Sequence, residues 1–414
     1  MKEVKIGILG LGTVGLAVAE NIEKNSGLIA EKTGIKLTVK KACELRKVKI
    51  NLLVTKDPSA IINDPEISIV VETIGGIDPA GKLVIEALRA HKHVVTSNKE
   101  LVATKMRELL LAAELNGSQI LFEGAVGGGI PILNTLRDEL VGNRFSEIYG
   151  IVNGTTNYIL SKMTHEKKEF SEVLKAAQKL GYAEANPAAD IEGYDATYKA
   201  AIIAAIGFGC SVKWENIYRE GIEKIGAEDI EYAGEIGYVI KLLAIAKRTQ
   251  GKLEVRVHPA LVAKNHPLAS VEENFNAFYV KGEPVGDLMF YGPGAGGAAT
   301  SSAVIGDVIA LATQKPRKIV LNENIQMRKM EEIESRYYIR LTAQDKFGVL
   351  AGIAKIFADQ KVSIAAVNQK ETVGNTSTIV ILLHKVIEKN LLAALEGIKK
   401  SGTVKEVCNV IRIL

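Results

Sequence analysis

Short apolar runs alternate with amphipathic stretches along the first third of the chain. The apolar residues 4–9 and the amphipathic residues 16–25 predict a strand followed by a helix, and residues 35–43 predict a second strand. Further strands and helices alternate at residues 67–76, 81–92, 93–100 and 101–116. Such alternation is typical of a parallel, doubly wound sheet, which binds ligands at the carboxyl ends of its strands. We therefore predict an α/β domain over residues 1–131.

The pattern is less regular from residue 132 onward, which predicts an α+β domain that ends near residue 299. Its expected elements are a helix through 137–141, a strand at 147–154, a helix at 171–180, a helix from Asp195, a helix at 234–250 and a strand at 253–257. A glycine-rich turn at 292–297 then precedes a helix over 300–314. We expect that helix, with residues up to about 320, to return to the first domain. We assign substrate binding, catalysis and dimerisation to the α+β domain.

Residues 321–335 are charged and weakly patterned, as in a linker, and residues 336–414 form a separate unit. Apolar periodicity there predicts the order strand, helix, strand, strand, helix, strand, which is the ferredoxin-like βαββαβ arrangement. A unit of this kind, appended to catalytic domains, is either regulatory or a dimerisation module.

Composition narrows the class of protein. With 414 residues, 47% hydrophobic content and a net charge of +4, the chain can form two or three cores and has no basic block for nucleic acid. The longest apolar run, residues 200–210, is about half of the ~20 residues that a membrane-spanning helix needs, and no export signal is visible. Cys43, Cys210 and Cys408 are too far apart in the sequence to suggest a zinc site. We expect a cytoplasmic protein without nucleic-acid or membrane partners.

A glycine motif connects the first strand to the first helix. Gly10, Gly12 and Gly15 form a GxGxxG pattern, in which they permit a tight turn, the approach of a pyrophosphate and the packing of the helix on the strand. Thr13 and Val14 begin the helix, whose free amides would hold the phosphates. The pattern also arises by chance, but between a strand and a helix it indicates a Rossmann-like site for NAD or NADP.

The choice between NAD and NADP stays open. An acid at the end of the second strand binds a ribose hydroxyl of NAD, whereas a basic residue accepts the 2′-phosphate of NADP. Glu44, Arg46 and Lys47 all stand at that end, and a solvated loop would also explain them. Thr73 and Ile74 follow the next strand and are further candidates for the cofactor site.

The densest set of polar residues lies between 181 and 199. It contains Glu184, Asp190, Asp195 and Lys199, and the apolar run that follows implies that the helix carrying the last two enters a core. Burial lowers the pKa of a lysine and suits it to proton transfer. An aspartate and a lysine four residues apart are more often a surface ion pair. The neighbouring carboxylate and glycines, together with the nucleotide motif, favour a catalytic site.

Three other stretches are candidate sites. Lys99 follows a strand of the first domain, Thr156 lies in a polar turn, and residues 123–131 contain too many glycines for an ordinary helix. A glycine-rich backbone can turn several carbonyl oxygens toward one point, and Glu123 adds a carboxylate, so this segment could hold a hard cation. From composition alone, a plain loop is the more frequent explanation.

The chain resembles the homoserine dehydrogenase family with a C-terminal ACT domain, over essentially its whole length. The resemblance is carried by GYAEANPAADIEGYDATYK at 181–199, SNK at 97–99, EGAVGGGIP at 123–131 and GPGAGG at 292–297. It implies the reversible, NAD(P)-dependent reduction of L-aspartate 4-semialdehyde to L-homoserine in threonine, methionine and isoleucine biosynthesis. The chain departs from the family at Asn186-Pro187, where an aspartate often precedes the proline.

The resemblance also implies roles for individual residues. Lys199 would donate the proton beside Asp195 and Lys99, and Glu184 would bind the substrate's amino group, with Asp190 and Thr156 also assigned to the substrate. The cofactor residues would be Gly10, Gly12, Thr13, Val14, Gly15, Arg46, Thr73, Ile74, Lys99, Gly181, Gly294, Gly296 and Gly297. A sodium ion would be bound by Glu123, Val126, Gly128 and Ile130. An amino-acid effector, with threonine expected, would be bound by Asp345, Gly348, Val349 and Leu350, and the chain would form a homodimer or homotetramer.

Two alternatives remain. Another NAD(P)-dependent dehydrogenase of amino or hydroxy acids would share the glycine motif, but it would not need the set at 181–199. A non-catalytic amino-acid sensor would keep the ACT domain, but it would not need Glu184, Asp195, Lys199 and Lys99 together. The sequence leaves open the cofactor preference, whether NADP is turned over or only bound tightly, the effector, and the choice between dimer and tetramer.

Overall fold

The computed structural model describes residues 1–313, 317–322 and 324–414, without the side chains of residues 370–373. The end of the predicted helix at residue 314 and position 323 of the predicted linker lie outside these residues. The chain forms two compact units. The first consists of residues 1–152, 195–217 and 275–324, and the second of residues 153–194, 218–274 and 325–414. The three-domain division expected from the sequence stays a prediction.

The strands are β1 (Lys2–Leu9), β2 (Ile35–Cys43), β3 (Val54–Thr55), β4 (Ile67–Glu72), β5 (His93–Thr96), β6 (Ile120–Leu121), β7 (Arg144–Ile151), β8 (Tyr218–Arg219), β9 (Tyr238–Thr249), β10 (Lys252–Ala263), β11 (Phe275–Glu283), β12 (Gly286–Pro293), β13 (Glu334–Gln344), β14 (Ile364–Val373), β15 (Thr376–Ile387) and β16 (Val404–Ile413). The helices are α1 (Thr13–Thr33), α2 (Ser59–Ile62), α3 (Ala80–Arg89), α4 (Lys99–Leu115), α5 (Gly154–Glu166), α6 (Phe170–Lys179), α7 (Ala188–Ile191), α8 (Tyr194–Phe208), α9 (Ala227–Glu235), α10 (Gly297–Thr313), α11 (Val349–Asp359) and α12 (Glu388–Lys400).

The first unit contains a parallel sheet whose described strands have the order β3-β2-β1-β4-β5-β6. Helices α1 and α10 pack on each other, and their buried residues, such as Val18 and Val304, join those of the strands in one core. The strand order reverses between β1 and β4, which places the expected ligand crevice at the carboxyl ends of these two strands. The predicted Rossmann-like, doubly wound sheet is confirmed.

Three antiparallel strands of the first unit lie side by side in the order β12-β11-β7. Helix α8 is buried along nearly its whole length, and Ile202, Ile203 and Ala204 are at most 2% exposed. Gly207 near its end lies so close to Ile148 of β7 that a Cβ atom would come within 2.5 Å of that side chain. The helix that begins near Asp195 therefore enters a core, as its sequence predicts.

The described strands of the second unit have the order β9-β10-β16-β13-β15-β14, with β8 beside β10. Strands β13 to β16 with α11 and α12 form the βαββαβ arrangement around a core that includes Tyr337, Phe357 and Leu391. The predicted ferredoxin-like domain is confirmed. Its last strand also pairs in parallel with β10, where Ala260 lies opposite Arg412.

The predicted helix over residues 234–250 is wrong. Helix α9 ends at Glu235, and β9 pairs with β10 from one end to the other. Gly237 has a φ of 84°, and the φ values of 52° at Gln250 and 78° at Gly251 close a two-residue hairpin. Both faces of β9 are largely buried, so its sequence is an apolar run without a period of two. Periodicity alone cannot distinguish such a strand from a buried helix.

No helix within the described ranges is both long and apolar enough to cross a membrane.

Candidate active site

Lys99, Asp195 and Lys199 form one charged cluster in the first unit. The Lys199 ammonium nitrogen lies 2.7 Å from Asp195 Oδ2 and 2.7 Å from the carbonyl oxygen of Val152. The Lys99 nitrogen lies 2.7 Å from Asp195 Oδ1. The side chains of Asp195 and Lys199 are 5% and 10% exposed, whereas that of Lys99 is 43% exposed. Burial of this degree excludes an ordinary surface ion pair.

Local structure explains how the three side chains meet. Asp195 lies in the first turn of α8, where the helix dipole favours a carboxylate, and Lys199 lies one turn later on the same face. Lys99 is the first residue of α4 and follows the carboxyl end of β5. The Asn98 side chain caps α4 by accepting the N–H of Leu101 at 3.1 Å.

The charges of the cluster determine what it can do chemically. Burial by itself would raise the pKa of Asp195, but Lys199 and Lys99 together hold it well below its ordinary value. Asp195 is therefore a carboxylate at neutral pH. With both lysines protonated, the cluster carries one more positive than negative charge. Such a cluster suits an oxygen atom that gains negative charge during a reaction.

Glu72, at the end of β4, organises the loops beside this cluster. Its carboxylate accepts the N–H of Ile74 at 2.7 Å and the hydroxyl of Thr96 at 2.5 Å, and Thr96 Oγ1 accepts the N–H of Asn98 at 3.0 Å. Burial raises the pKa of Glu72, which is 0% exposed. The sequence analysis missed this residue. The signal for it is an acid that ends an otherwise apolar strand and precedes two candidate site residues.

The glycine motif has the geometry of a nucleotide cradle. A Cβ atom at Gly10, where φ is 97°, would lie 2.9 Å from the Thr73 carbonyl oxygen, and one at Gly15 would lie 2.0 Å from that of Gly10. A Cβ atom at Gly12 would meet no atom within 4 Å, so this side of the loop is open to a ligand. Helix α1 begins at Thr13 without a side-chain cap. Its first amides can therefore bind phosphate.

The residues expected to select the cofactor are bonded to each other. Glu44 Oε2 accepts the N–H of Leu11 at 2.9 Å, and the guanidinium Nε of Arg46 lies 3.2 Å from Glu44 Oε1. The hydrogen bond with Arg46 is the largest of the causes that lower the pKa of Glu44 to about 2. The Glu44 side chain is 10% exposed and that of Arg46 is 71% exposed. Arg46 is thus the group available to an incoming phosphate.

In the second unit, the polar turn before α5 bonds to two residues of the 181–199 stretch, Tyr182 and Asp190. Asn153 Oδ1 accepts the N–H of Thr156 at 2.8 Å, and Asn153 Nδ2 donates to Asp190 Oδ1 at 2.7 Å. The Thr155 hydroxyl donates to the Tyr182 carbonyl oxygen at 2.8 Å. Thr156 is 1% exposed and its hydroxyl is bonded to Asn153. The sequence analysis did not single out Asn153, which is the centre of this arrangement.

Glu184 and Gly181 lie on the loop between α6 and α7 of the second unit. Both are exposed, and the φ of Gly181 is 78°. Gln178 of α6 donates to the backbone carbonyl oxygens of Glu184 at 3.1 Å and Ala185 at 3.3 Å, which ties the loop to that helix. The loop thus presents a carboxylate at the surface of its own unit.

The glycine-rich loop after β6 holds a buried carboxylate. Glu123 is 2% exposed, and its oxygens accept the backbone N–H groups of Leu133 at 2.8 Å and Asn134 at 2.5 Å. Its own N–H donates to Asp307 of α10 at 2.8 Å. Burial, followed by the nearby Asp307 carboxylate, raises the pKa of Glu123 to about 8. A cation would relieve the cost of ionising this group.

The carbonyl groups of the same loop could complete a cation site. Gly127 and Gly128 have φ values of 75° and 59°. Within the described part of the chain, the carbonyl oxygens of Val126 and Gly128 accept no hydrogen bond, whereas that of Ile130 accepts one from Ile132. No group of three or more His, Cys, Asp or Glu side chains suited to a metal occurs in the described ranges. The loop therefore suits a hard cation held mainly by carbonyl oxygens.

The turn before α11 and the first two residues of that helix, 345–350 together, expose backbone and apolar groups. Gly348, with a φ of 83°, is the N-cap of α11 and adds no side-chain cap. Asp345 donates its N–H to Asn375 at 3.0 Å, Val349 is buried and Leu350 is exposed. Phe347 is fully exposed and was not predicted as a site residue.

Comparisons with known proteins identify the family to which the chain is similar. Family models described as "Homoserine dehydrogenase, NAD binding domain", "Homoserine dehydrogenase" and "ACT domain" match residues 10–123, 131–309 and 337–402. The homoserine dehydrogenase of Synechocystis sp. is 44% identical over 99% of this chain and 99% of its own length. The solved homoserine dehydrogenase of Thiobacillus denitrificans has a TM-score of 0.95 at 41% identity, and the match covers 100% of this chain and 98% of that one. A hyperthermophilic archaeal homoserine dehydrogenase solved with NADPH has a TM-score of 0.65 at 29% identity, and covers 76% of this chain and 99% of that one.

Proposed function

This chain belongs to the homoserine dehydrogenase family and is an NAD(P)-dependent oxidoreductase, and from this we propose the role of each group in its reaction. It interconverts L-aspartate 4-semialdehyde and L-homoserine. In the direction of reduction, Lys199 stabilises the aldehyde oxygen as it gains negative charge and gives it a proton. The observation that carries this role is the 2.7 Å contact of a buried Lys199 with both Asp195 and the Val152 carbonyl. These two acceptors fix the ammonium in one position.

Asp195 orients the two lysines rather than reacting itself. Its oxygens are divided between Lys199 and Lys99, each at 2.7 Å, so that neither ammonium is free to rotate away. Lys99 adds positive charge to the same region. Because its side chain is 43% exposed, its electrostatic contribution is screened by water more than that of Lys199.

The glycine loop and the first turn of α1 would hold the cofactor's phosphates, and the bound nicotinamide supplies or accepts the hydride. Gly12 provides the open approach, and Arg46 would bind the 2′-phosphate of NADP. The archaeal relative that was solved with NADPH supports a phosphorylated cofactor. Glu44 would remain paired with the loop N–H of Leu11, which supports NADP as the preferred cofactor of this chain.

The substrate's α-ammonium group would be bound by Glu184, an exposed carboxylate of the loop between α6 and α7. Asp190 would assist, because Asn153 holds its side chain in one orientation at 2.7 Å. Thr156 would act through its bond with Asn153. Fixing the amino end of the substrate leaves only one orientation for its carbonyl group.

A sodium ion would be bound by Glu123 with the carbonyl oxygens of Val126, Gly128 and Ile130. The buried Glu123 carboxyl, with its raised pKa, supports this assignment because a cation would balance its charge. The ion would brace the glycine-rich loop and would take no part in proton transfer.

The ACT domain would bind an amino acid, with threonine as the expected effector, at Asp345, Gly348, Val349 and Leu350. The start of α11, which has no side-chain cap, supports this, since its N–H groups can donate to a carboxylate. The chain would act as a homodimer or homotetramer through paired domains.

The experiment that tests these assignments is the oxidation of L-homoserine, followed by the absorbance of the reduced nicotinamide. NAD and NADP are compared in parallel, with and without sodium and with and without threonine. We expect turnover with NADP at a lower KM than with NAD, stimulation by sodium and inhibition by threonine. Binding of each cofactor is measured separately, because NADP that binds tightly without turnover would contradict its assignment as the cofactor that is turned over, although not its contact with Arg46. No turnover with either cofactor, in folded protein, would favour the amino-acid sensor.

A further inference from the structure

The segment 218–222 of the second unit is clamped onto the turn that precedes α8. Ile222 donates its N–H to the Ile191 carbonyl at 2.8 Å. A Cβ atom at Gly221 would lie 2.2 Å from the same carbonyl oxygen, so only glycine permits this approach. The 218–222 segment therefore determines where the 191–194 turn lies.

Arg219 adds a second contact with this turn. The central guanidinium carbon of Arg219 lies 3.4 Å from the centre of the Tyr194 ring, which is a close cation–π contact. Gly193, with a φ of 84°, makes room for the arginine, because a Cβ atom there would lie 3.2 Å from Arg219 Cγ. Tyr194 is the first residue of α8 and immediately precedes Asp195. Arg219 therefore contacts the residue that adjoins Asp195 in the chain.

Arg412 of β16, in the C-terminal domain, bonds to the same segment. Arg412 is 4% exposed and donates to Glu220 at 2.7 Å and to the Tyr218 hydroxyl at 3.1 Å. Its Nε also donates to Glu388, the first residue of α12, at 3.2 Å. The Tyr218 hydroxyl donates to Glu220 at 2.7 Å, which closes the network. A buried arginine thus ties the ferredoxin-like domain to residues 218–220.

We propose that Arg219 is a positioning residue for the reaction centre and that the C-terminal domain supports it through Arg412 and Glu220. The proposal rests on the proposed roles of Asp195 and Lys199. Asp195 accepts from two lysines at 2.7 Å, so a small rotation of the first turn of α8 disturbs both contacts together. A displacement of about 1 Å can cost up to a hundredfold in rate. Arg219 therefore affects kcat, although it does not contact the reacting atoms.

The test compares kcat and KM of Arg219→Ala, Tyr194→Leu and the double variant. We expect each single variant to lose about tenfold in kcat, with an unchanged KM for the cofactor, and the double variant to lose no more than either single variant. Arg328→Ala is the matched control, since Arg328 lies in the same unit and bonds to Gln250. Normal kcat in Arg219→Ala, or a hundredfold loss in the double variant, would overturn the proposal.

Rescue separates positioning from a general loss of structure. Arg219 lines a cavity of about 210 Å³ together with Glu220 and Gly221, so the Arg219→Ala variant leaves a space that a free guanidinium ion can enter. Added guanidinium, at a concentration that does not unfold the protein, should restore kcat in this variant and leave the control unchanged. Arg219→Lys should keep part of the rate. Absence of both effects would assign Arg219 to stability alone.

Two further variants complete the series. Glu220→Gln should lower kcat less than Arg219→Ala and should have no additional effect in the Arg219→Ala background. A full additional loss would refute the route through Arg412. Lys199→Ala distinguishes failure of the proposed proton donor from failure of the positioning role of Arg219. If it keeps normal turnover, the proposed proton donor is refuted, whereas an inactive Lys199→Ala beside a normal Arg219→Ala refutes only the positioning role.

Discussion

Replacing Lys199 by alanine should cost far more turnover than replacing Lys99, although both bond to Asp195 at 2.7 Å. An ammonium about 4 Å from an oxyanion contributes roughly 4 kcal/mol at a partly shielded site and about 1 kcal/mol in water. Lys199, with a 10% exposed side chain, is close to the first case, and Lys99, at 43%, lies between the two. At about 1.4 kcal/mol per factor of ten, we expect kcat to fall about a thousandfold in Lys199→Ala and about ten- to a hundredfold in Lys99→Ala.

The assay is steady-state oxidation of homoserine with saturating cofactor, from which kcat and KM for homoserine are obtained. KM should change much less than kcat, because the proposed binding group for the substrate's amino end is Glu184 and not either lysine. Lys92→Ala is the control: this lysine is 8% exposed, precedes β5 and donates to the Asp64 carbonyl at 2.7 Å. It should lower the melting temperature and leave kcat unchanged. A larger loss in Lys99→Ala than in Lys199→Ala, or normal turnover in Lys199→Ala, would refute the reasoning.

Three further predictions concern Arg46, the glycine motif at residues 10–15 and the proposed cation site at Glu123. Arg46→Ala should raise KM for NADP about tenfold and leave KM for NAD unchanged, since about 1.4 kcal/mol of a charged contact is lost; an equal rise for both would contradict the assignment. Gly12→Ala should fold normally and weaken cofactor binding in calorimetry, because its added Cβ atom meets no other atom within 4 Å. Gly15→Ala should lower the melting temperature, because its Cβ atom would lie 2.0 Å from the carbonyl oxygen of Gly10. Burial raises the pKa of Glu123 from 4.5 to about 8 in the folded protein, so folding favours the protonated form. Without sodium, the melting temperature should therefore fall as the pH rises from 4.5 to about 8. Sodium or Glu123→Gln should reduce this slope, and an unchanged slope in both would refute the role of Glu123.

Most of the fold could be predicted because local patterns agree with tertiary structure. The motif from Gly10 to Gly15 stands between a strand whose last four residues are all buried and an amphipathic helix, and the βαββαβ order follows from periodicity in elements such as α11 and α12. The strand Tyr238–Thr249 could not be predicted, since it is buried on both faces and its hairpin turn is Gln250-Gly251 rather than a strong turn pair.

The candidate site was predictable only in part. Spacing places Asp195 and Lys199 on one helical face, but no local pattern shows that Lys99, nearly a hundred residues earlier, bonds to the same carboxylate. The role of Glu72 depends on the neighbouring strand, because its partner Thr96 is on β5. The resemblance to a known family supplied Lys99, Asp195 and Lys199 as site residues, but it supplied neither Glu72 nor the bonds between these side chains.

Asn153 restricts how this protein can change in evolution. One end of its amide accepts the N–H of Thr156 to start α5, and the other end donates to Asp190. Aspartate would keep the bond from the N–H of Thr156 but would lose the donor to Asp190. It would also place a second carboxylate beside that of Asp190. Serine would keep the cap but could not reach both partners, and glutamine has a side chain one carbon too long. Each single substitution therefore weakens the N-cap of α5, the bond that orients Asp190, or both. A substitution at this position that keeps both functions requires a compensating change elsewhere.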